Sequence, residues 1–437
     1  MTGASSKGQV HTPFRRLTFG ILLGYGMMML ALMTPATLLL TFKMIEVDPN
    51  GYTSSYGLVA GIGAFFALIG NPIGGALSDR THLSFGRRRT WIILGPLVGC
   101  AALVCTGFAN EPWQIMISWA VAQFFFNVGM AAYTALIPDQ VPQEKQGTIS
   151  GLIGLTIPIA MTVGMIMMTV MTSVSSEIKW LLLGVIGIIG PLLSTLIIKE
   201  GKVELVPKTH NQISLGKKLS TIFPSPRKFP EFSWAFVSKF LIMMGYCSTL
   251  YLTVMLVNRM GLTEELATAK VATINIVMLV GVAITSIFGG VLSDKFGKQK
   301  PFLIVSGFII AIGVLLFAFV PSYPAYIAGA TVIGLGFGCF SAVDMALVAR
   351  ILPSKEDSAK DFGIMNVANA LPQSIVPAIA PVLLGIGSWT FFYIFLAFCT
   401  ILGMLAVKPL PEVGTEKRAQ TAELTAVEVQ SQKANLV

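Results

Sequence analysis

GGALSDRTHLSFGRRRTWIILG, residues Gly74–Gly95, sets Asp79, Arg80, Arg87, Arg88 and Arg89 within eleven positions, between two long apolar runs. The rest of the chain makes that concentration of charge unusual. Of 437 residues, 54% are hydrophobic and only 12% charged, with a mean hydropathy of +0.76. An ordinary soluble domain carries about a quarter charged residues, so 30 basic and 21 acidic side chains are too few to coat a soluble core of this size. Lipid is the expected solvent. The polar stretch 1–16 precedes an apolar run too long for a signal peptide, so the first span is expected to be retained.

A window of about 20 residues, enough to cross ~30 Å of hydrocarbon, selects twelve segments. They are 17–42, 56–78, 90–109, 112–136, 147–172, 179–198, 232–258, 267–293, 300–320, 323–350, 362–386 and 388–407. With both termini cytoplasmic, only Lys43, Lys179, Arg259 and Lys270 fall outside and Lys239 lies within the seventh span. That asymmetry orients the chain and accounts for the net charge of +9 without nucleic acid. Trp91, Trp113, Trp180, Trp234 and Trp389 stand at span ends, where an amphipathic ring prefers the headgroup level. The five cysteines all fall in apolar spans without metal or redox spacing and read as small hydrophobes; no metal or cofactor is expected.

The opening stretch also has a copy. GGALSDR at position 74 recurs as GGVLSDK at 289, an offset of 215, and Pro138 recurs at the same offset as Pro353. Two features at one offset imply two six-span halves in parallel orientation, a layout of transporters with a site between the repeats. The domains follow: a cytoplasmic segment 1–16, a bundle 17–199, a proline-containing basic linker 200–231, a second bundle 232–408 and a cytoplasmic tail 409–437.

GGALSDRTHLSFGRRR resembles the loop 2–3 signature of the major facilitator superfamily, and GGVLSDKFGKQK its second-half copy. With the twelve spans and the long central linker, the resemblance covers essentially the whole chain. It implies an all-α membrane protein of twelve transmembrane helices in two parallel six-helix bundles. THLSFGRRRTW and the stretch Asp344–Pro381 are more specifically similar to plant sucrose transporters, their bacterial relatives and glycoside–pentoside–hexuronide:cation symporters. The first span carries no acid and the fourth no arginine, so the resemblance does not extend to those families' coupling residues. Short loops and a short linker look bacterial, pointing to an inner membrane.

Asp79 closes the second span at its C-terminal end, where the helix dipole already places partial negative charge. It needs cations nearby. Arg80, Arg87 and Arg88 offer them, and the resemblance adds the start of the eleventh helix, Asp361–Asn366. Asp294, Lys295 and Lys298 are the second-half counterparts. Together they are expected to gate the cytoplasmic side. Arg88 and Arg89 could equally contact lipid phosphate.

Apart from Lys179 and Lys300 at the first positions of spans 6 and 9, spans 3, 6, 9 and 12 contain no Asp, Glu, Asn, Gln, His, Lys or Arg and are expected to face lipid. Polar groups collect in the other spans: Tyr25, Gln123, Asn127, Tyr246, Tyr251, Asn275, Asn366, Asn369 and Gln373. Amides and phenols both donate to and accept from hydroxyls, which suits a neutral polyhydroxylated ligand. Each amide could instead join two helices by a hydrogen bond. Asp344 is the one carboxylate well inside a span, and burial is costly unless it is paired or protonated. It could carry a proton, bind a cation, contact substrate or pair with Lys239, which lies at similar depth; the two residues are the candidates for coupling to a proton or sodium ion.

The three histidines lie in loops or tails, and neither HExxH nor a Walker A sequence is present. An enzyme is not expected, and neither is ATP. The expected protein is a monomeric secondary transporter that takes up a small-molecule substrate, sugar or glycoside, by alternating access, with lipid around it. An exporter of amphipathic compounds and an uncoupled facilitator are the alternatives.

Overall fold

A computed structural model describes residues 12–200, 226–351 and 358–410; a few side chains within its helices, among them those of Asp294, Asp361 and Asn366, lie outside the description. All regular structure in the described residues is helical. The helices are α1 (Phe14–Val47), α2 (Tyr52–Arg80), α3 (Arg87–Gly107), α4 (Pro112–Gln140), α5 (Gln143–Val170) and α6 (Ser176–Ile197). The second set is α7 (Pro230–Met260), α8 (Glu264–Phe296), α9 (Lys300–Phe319), α10 (Tyr323–Ile351), α11 (Ser358–Gly387) and α12 (Trp389–Leu405). Each expected span falls on one helix, with ends displaced by a few residues. Among the described residues, eleven are long and apolar enough to cross a bilayer, and α12 is a shorter apolar helix.

Two helices are broken at matching places. α1 passes through a π turn at Pro35–Leu39, and α7 through a 3-10 turn at Cys247–Tyr251. Pro35 cannot donate an N–H to the helix ladder, which accounts for the first break. The second has neither proline nor an internal glycine.

The chain forms two compact units. Among the described residues, one consists of 12–200, 249–276 and 373–388, the other of 226–248, 277–351, 358–372 and 389–410. In the first, α4 packs on α2 and α3, and α6 on α1 and α3. In the second, α9 packs on α10 and α12, and α12 on the first part of α7. Three of the four first-unit pairings, α3–α4, α3–α6 and α1–α6, thus recur under the 215-residue repeat as α9–α10, α9–α12 and α7–α12. Glycines set the close approaches. A Cβ on Gly74 would lie 2.5 Å from Val128 Cα, and one on Gly289 2.8 Å from Cys339 Sγ. Their neighbours differ: Gly75 faces open space and Gly290 meets Ala342 only at 3.8 Å. The GG pairs of the repeat therefore contain one packing glycine each, in the same register, rather than two.

Candidate functional site

The Gly74–Gly95 stretch folds into a charge network at one end of the first unit, with Arg88 buried at its centre and Asp79 exposed at its edge. Gly86, at φ +117°, turns the chain into α3 in a conformation that disfavours a side chain. Arg88 then reaches back to the end of α2: its Nη2 lies 2.6 Å from Asp79 Oδ1, and its Nε 2.8 Å from Asp139 Oδ2 at the end of α4. It also donates to Ser78 Oγ. Arg87 shares Asp139 at 2.8 Å. Arg88 is 5% exposed, so its head is held among protein acids and not at a lipid phosphate. Arg89 donates to the Thr195 carbonyl at 2.7 Å and covers the Phe85 ring.

Glu200, just beyond α6, completes the network. Its carboxylate accepts the backbone N–H of Arg88 at 2.9 Å and of Arg89 at 3.1 Å, and so caps α3 from the segment that follows α6. A Cβ at Gly86 would stand 2.5 Å from Glu200 Oε2, which is a second reason for glycine there. Burial pushes the Glu200 carboxyl above its usual range, while the Arg88 and Arg89 N–H groups and nearby guanidinium charges pull it back. Neither Asp139 nor Glu200 is identifiable as a partner from local pattern. Arg80, Lys295 and Lys298 are exposed. The Asp294 side chain and the expected Asp79 partners Asp361 and Asn366 lie outside the described residues.

At the opposite end of the first unit, contacts converge on the two helix breaks. Tyr56 Oη of α2 lies 3.2 Å from Ala36 O in the π turn and 3.1 Å from Leu250 O in the 3-10 turn. Tyr251 stands edge-on to Tyr56, ring centroids 5.2 Å apart, and donates to Pro377 O at 3.3 Å. Thr253 Oγ1 donates to Thr37 O, and Asn258 donates to Tyr52 Oη at 3.1 Å. A Cβ on Gly57 would meet Tyr251, Pro377 and Pro381 at 2.5–2.8 Å. Lys179, buried, pairs with Glu264 at 2.9 Å. These contacts join elements of both sequence halves into a seal. Tyr251, expected on polarity to meet substrate, is fully buried within it.

The other polar candidates are distributed as follows. Tyr25 is nearly buried, its ring edge-on to Tyr133. Gln123 is 9% exposed and packs beside Gly63 and Trp119. Asn127 and Asn275 each return an N–H to the carbonyl four residues earlier, at 2.8 and 2.9 Å, which leaves their side-chain oxygens for another partner. Asn369 is half-buried and Gln373 exposed. Asn71 of α2, absent from the expected set, is exposed in mid-helix beside Pro72. In the second unit, Lys239 Nζ and Asp344 Oδ2 meet at 2.8 Å, with both side chains largely buried. Tyr246 lies flat on Phe337, centroids 3.7 Å apart. Among the described residues no cluster of His, Cys, Asp or Glu could hold a metal ion.

A family model described as Major Facilitator Superfamily matches residues 17–284 and 265–434. The nitrate/nitrite transporter NrtP of Nostoc punctiforme is 25% identical over 171 residues, 38% of this chain and 32% of that protein. The multidrug resistance protein MdtL of a Shewanella species is 31% identical over 126 residues, 29% of each. The chain thus spans about a third of the length of these curated relatives. A crystal structure of a D-xylose–proton symporter is similar with a TM-score of 0.70 at 13% identity, over 91% of this chain and 98% of that one. That likeness is one of fold.

Proposed function

The chain belongs to the Major Facilitator Superfamily, a multi-pass integral membrane protein and a transporter, and from that premise we propose that it takes up a neutral, hydroxyl-rich solute, a sugar or glycoside, by alternating access as a monomer. One observation carries the choice of substrate class. The cation within α7, Lys239, is neutralised by Asp344 at 2.8 Å, so the polar groups offered to a ligand are amides and phenols. Gln123, Asn127, Asn275, Asn366, Asn369 and Gln373 supply donors and acceptors in both senses. Tyr25 and Tyr246 supply ring faces for C–H surfaces. A nitrate-like anion would want an unpaired cation instead.

In this reading both termini are cytoplasmic and the membrane is a bacterial plasma membrane. Asp79, Arg80, Arg87 and Arg88, with Asp139 and Glu200, belong to the inner gate, and Asp294, Lys295 and Lys298 to its counterpart. The seal around Tyr56 belongs to the outer gate. Asp344 accepts the coupling proton: once neutral, it releases Lys239, and the α7–α10 contact loosens. A sodium ion at the same carboxylate would act in the same sense.

Uptake and counterflow in proteoliposomes, with a panel of mono- and disaccharides and with nitrate, test the reading under imposed proton or sodium gradients. Saturable counterflow of one sugar, accelerated by a proton gradient, is expected. Counterflow that ignores both gradients would make the protein a facilitator. Efflux of lipophilic cations with no sugar signal would replace the reading with an exporter.

A further inference from the structure

We propose that the second unit carries a docking groove for an anionic glycerophospholipid, formed where α9 begins and the chain leaves α12. The two helices run antiparallel, so Lys300 and Lys408 stand at the same end, and Lys300 Nζ donates to Lys408 O at 2.8 Å. With Pro301, Ile304 and Val305 they line an open groove of about 420 Å³. None of the five lining residues is acidic. Two ammonium groups beside apolar side chains match a phosphate headgroup joined to an acyl chain.

The chain of such a lipid has a track to follow. Val305 is 55% exposed, Phe308 55% and Ile312 40%, spaced i, i+3, i+7 on one face of α9. The track leaves the groove and runs along the helix for the rest of its outward face to Phe319, which is 62% exposed. A free phosphate would use the lysines and leave this stripe unused. The lysines alone would attract any anion; the groove joined to the stripe selects a lipid. The groove is separate from the charge network around Arg88, and the proposal does not depend on the transported substrate.

Native mass spectrometry of the full chain in detergent, titrated with phosphatidylglycerol and with phosphatidylcholine, tests the site. Wild type should retain phosphatidylglycerol preferentially. Lys300→Gln and Lys408→Gln should each weaken its retention about fivefold, the equivalent of ~1 kcal/mol per lysine near an anionic surface. The double variant Lys300→Arg plus Lys408→Arg should keep it. Arg227→Gln plus Lys228→Gln, which removes two exposed charges elsewhere, should leave it unchanged. Glycerol phosphate should not displace the bound lipid. Equal retention of the two lipids, equal loss in the control variant, or displacement by glycerol phosphate would each overturn the proposal.

Discussion

Lys239 Nζ lies 2.8 Å from Asp344 Oδ2, and seven residues further along α7 Tyr246 stacks on Phe337, which stands seven residues before Asp344 on the antiparallel α10. At 1.5 Å per residue the two contacts are about 10 Å apart along the helices. The ion pair and the stack are thus two layers of one helix–helix contact, one charged and one aromatic. Both layers hold α7 against α10.

Breaking a buried ion pair by removing one partner costs ~3–5 kcal/mol, whereas replacing both partners is often neutral. Asp344→Asn should therefore lower the thermal midpoint in detergent markedly, and Asp344→Asn plus Lys239→Gln should recover most of it. Gradient-driven uptake is expected to stay lost in the double variant while counterflow returns. Recovery of gradient-driven uptake as well would show that the pair only holds α7 to α10.

The two GG pairs give a second test with internal controls. Gly74→Ala places a methyl group against the Val128 backbone, which has no rotamer to move aside, and overpacking of this kind costs ~1–3 kcal/mol. Gly75→Ala meets nothing within 4 Å and removes a flexible residue from a helix, a gain of up to ~1 kcal/mol. In the second half Gly289→Ala should be the costly change and Gly290→Ala the tolerated one. Thermal unfolding of the four variants checks the pattern. Equal effects within either pair would contradict the assigned register.

The contrast between Gly74 and Gly75 marks how far the sequence could be read. Hydropathy placed twelve spans because each must bury its backbone over the thickness of a bilayer, and the copied GGxLSD motif exposed the repeat. Both are local or periodic signals. The partners of the arginine cluster are neither: Asp139 closes α4 and Glu200 follows α6, 51 and 112 residues from Arg88, and only packing brings them together. Tyr251 was legible as a polar residue in a span but not as part of a seal, because the 3-10 turn that presents it lacks a proline. Asp344 was legible as a carboxylate in lipid that needs a partner, a cation or a proton, and Lys239 as one candidate at the same depth; only packing makes them a pair.

Tyr56 has one hydroxyl proton for two carbonyl acceptors, Ala36 O and Leu250 O. Tyr56→Phe keeps the edge contact with Tyr251 and removes about one net hydrogen bond, ~1 kcal/mol. If the seal opens during transport, that loss favours the open form roughly fivefold. In a Ser248→Cys background, at a fully buried position of the same 3-10 turn, an impermeant maleimide should react about fivefold faster when Tyr56 is replaced. An unchanged rate would mean that the seal is static.

Glu200 ties α6 to the first turn of α3, and its protonation should be visible in stability. Its carboxyl is raised above the ordinary value of 4.5, chiefly by burial. An acid with a folded pKa above its unfolded one binds its proton more tightly in the folded state. Its contribution is then greatest below the unfolded pKa and declines as pH rises through the raised folded value. Glu200→Gln keeps an oxygen for the Arg88 and Arg89 N–H groups and has nothing to titrate. Wild type should accordingly lose thermal stability relative to Glu200→Gln as pH climbs from 4.5 toward neutrality. Glu200→Ala, which strands two N–H donors, should lie below both at every pH by ~1–3 kcal/mol. Parallel pH profiles for wild type and Glu200→Gln would show that the buried carboxylate is fully compensated by its cationic neighbours.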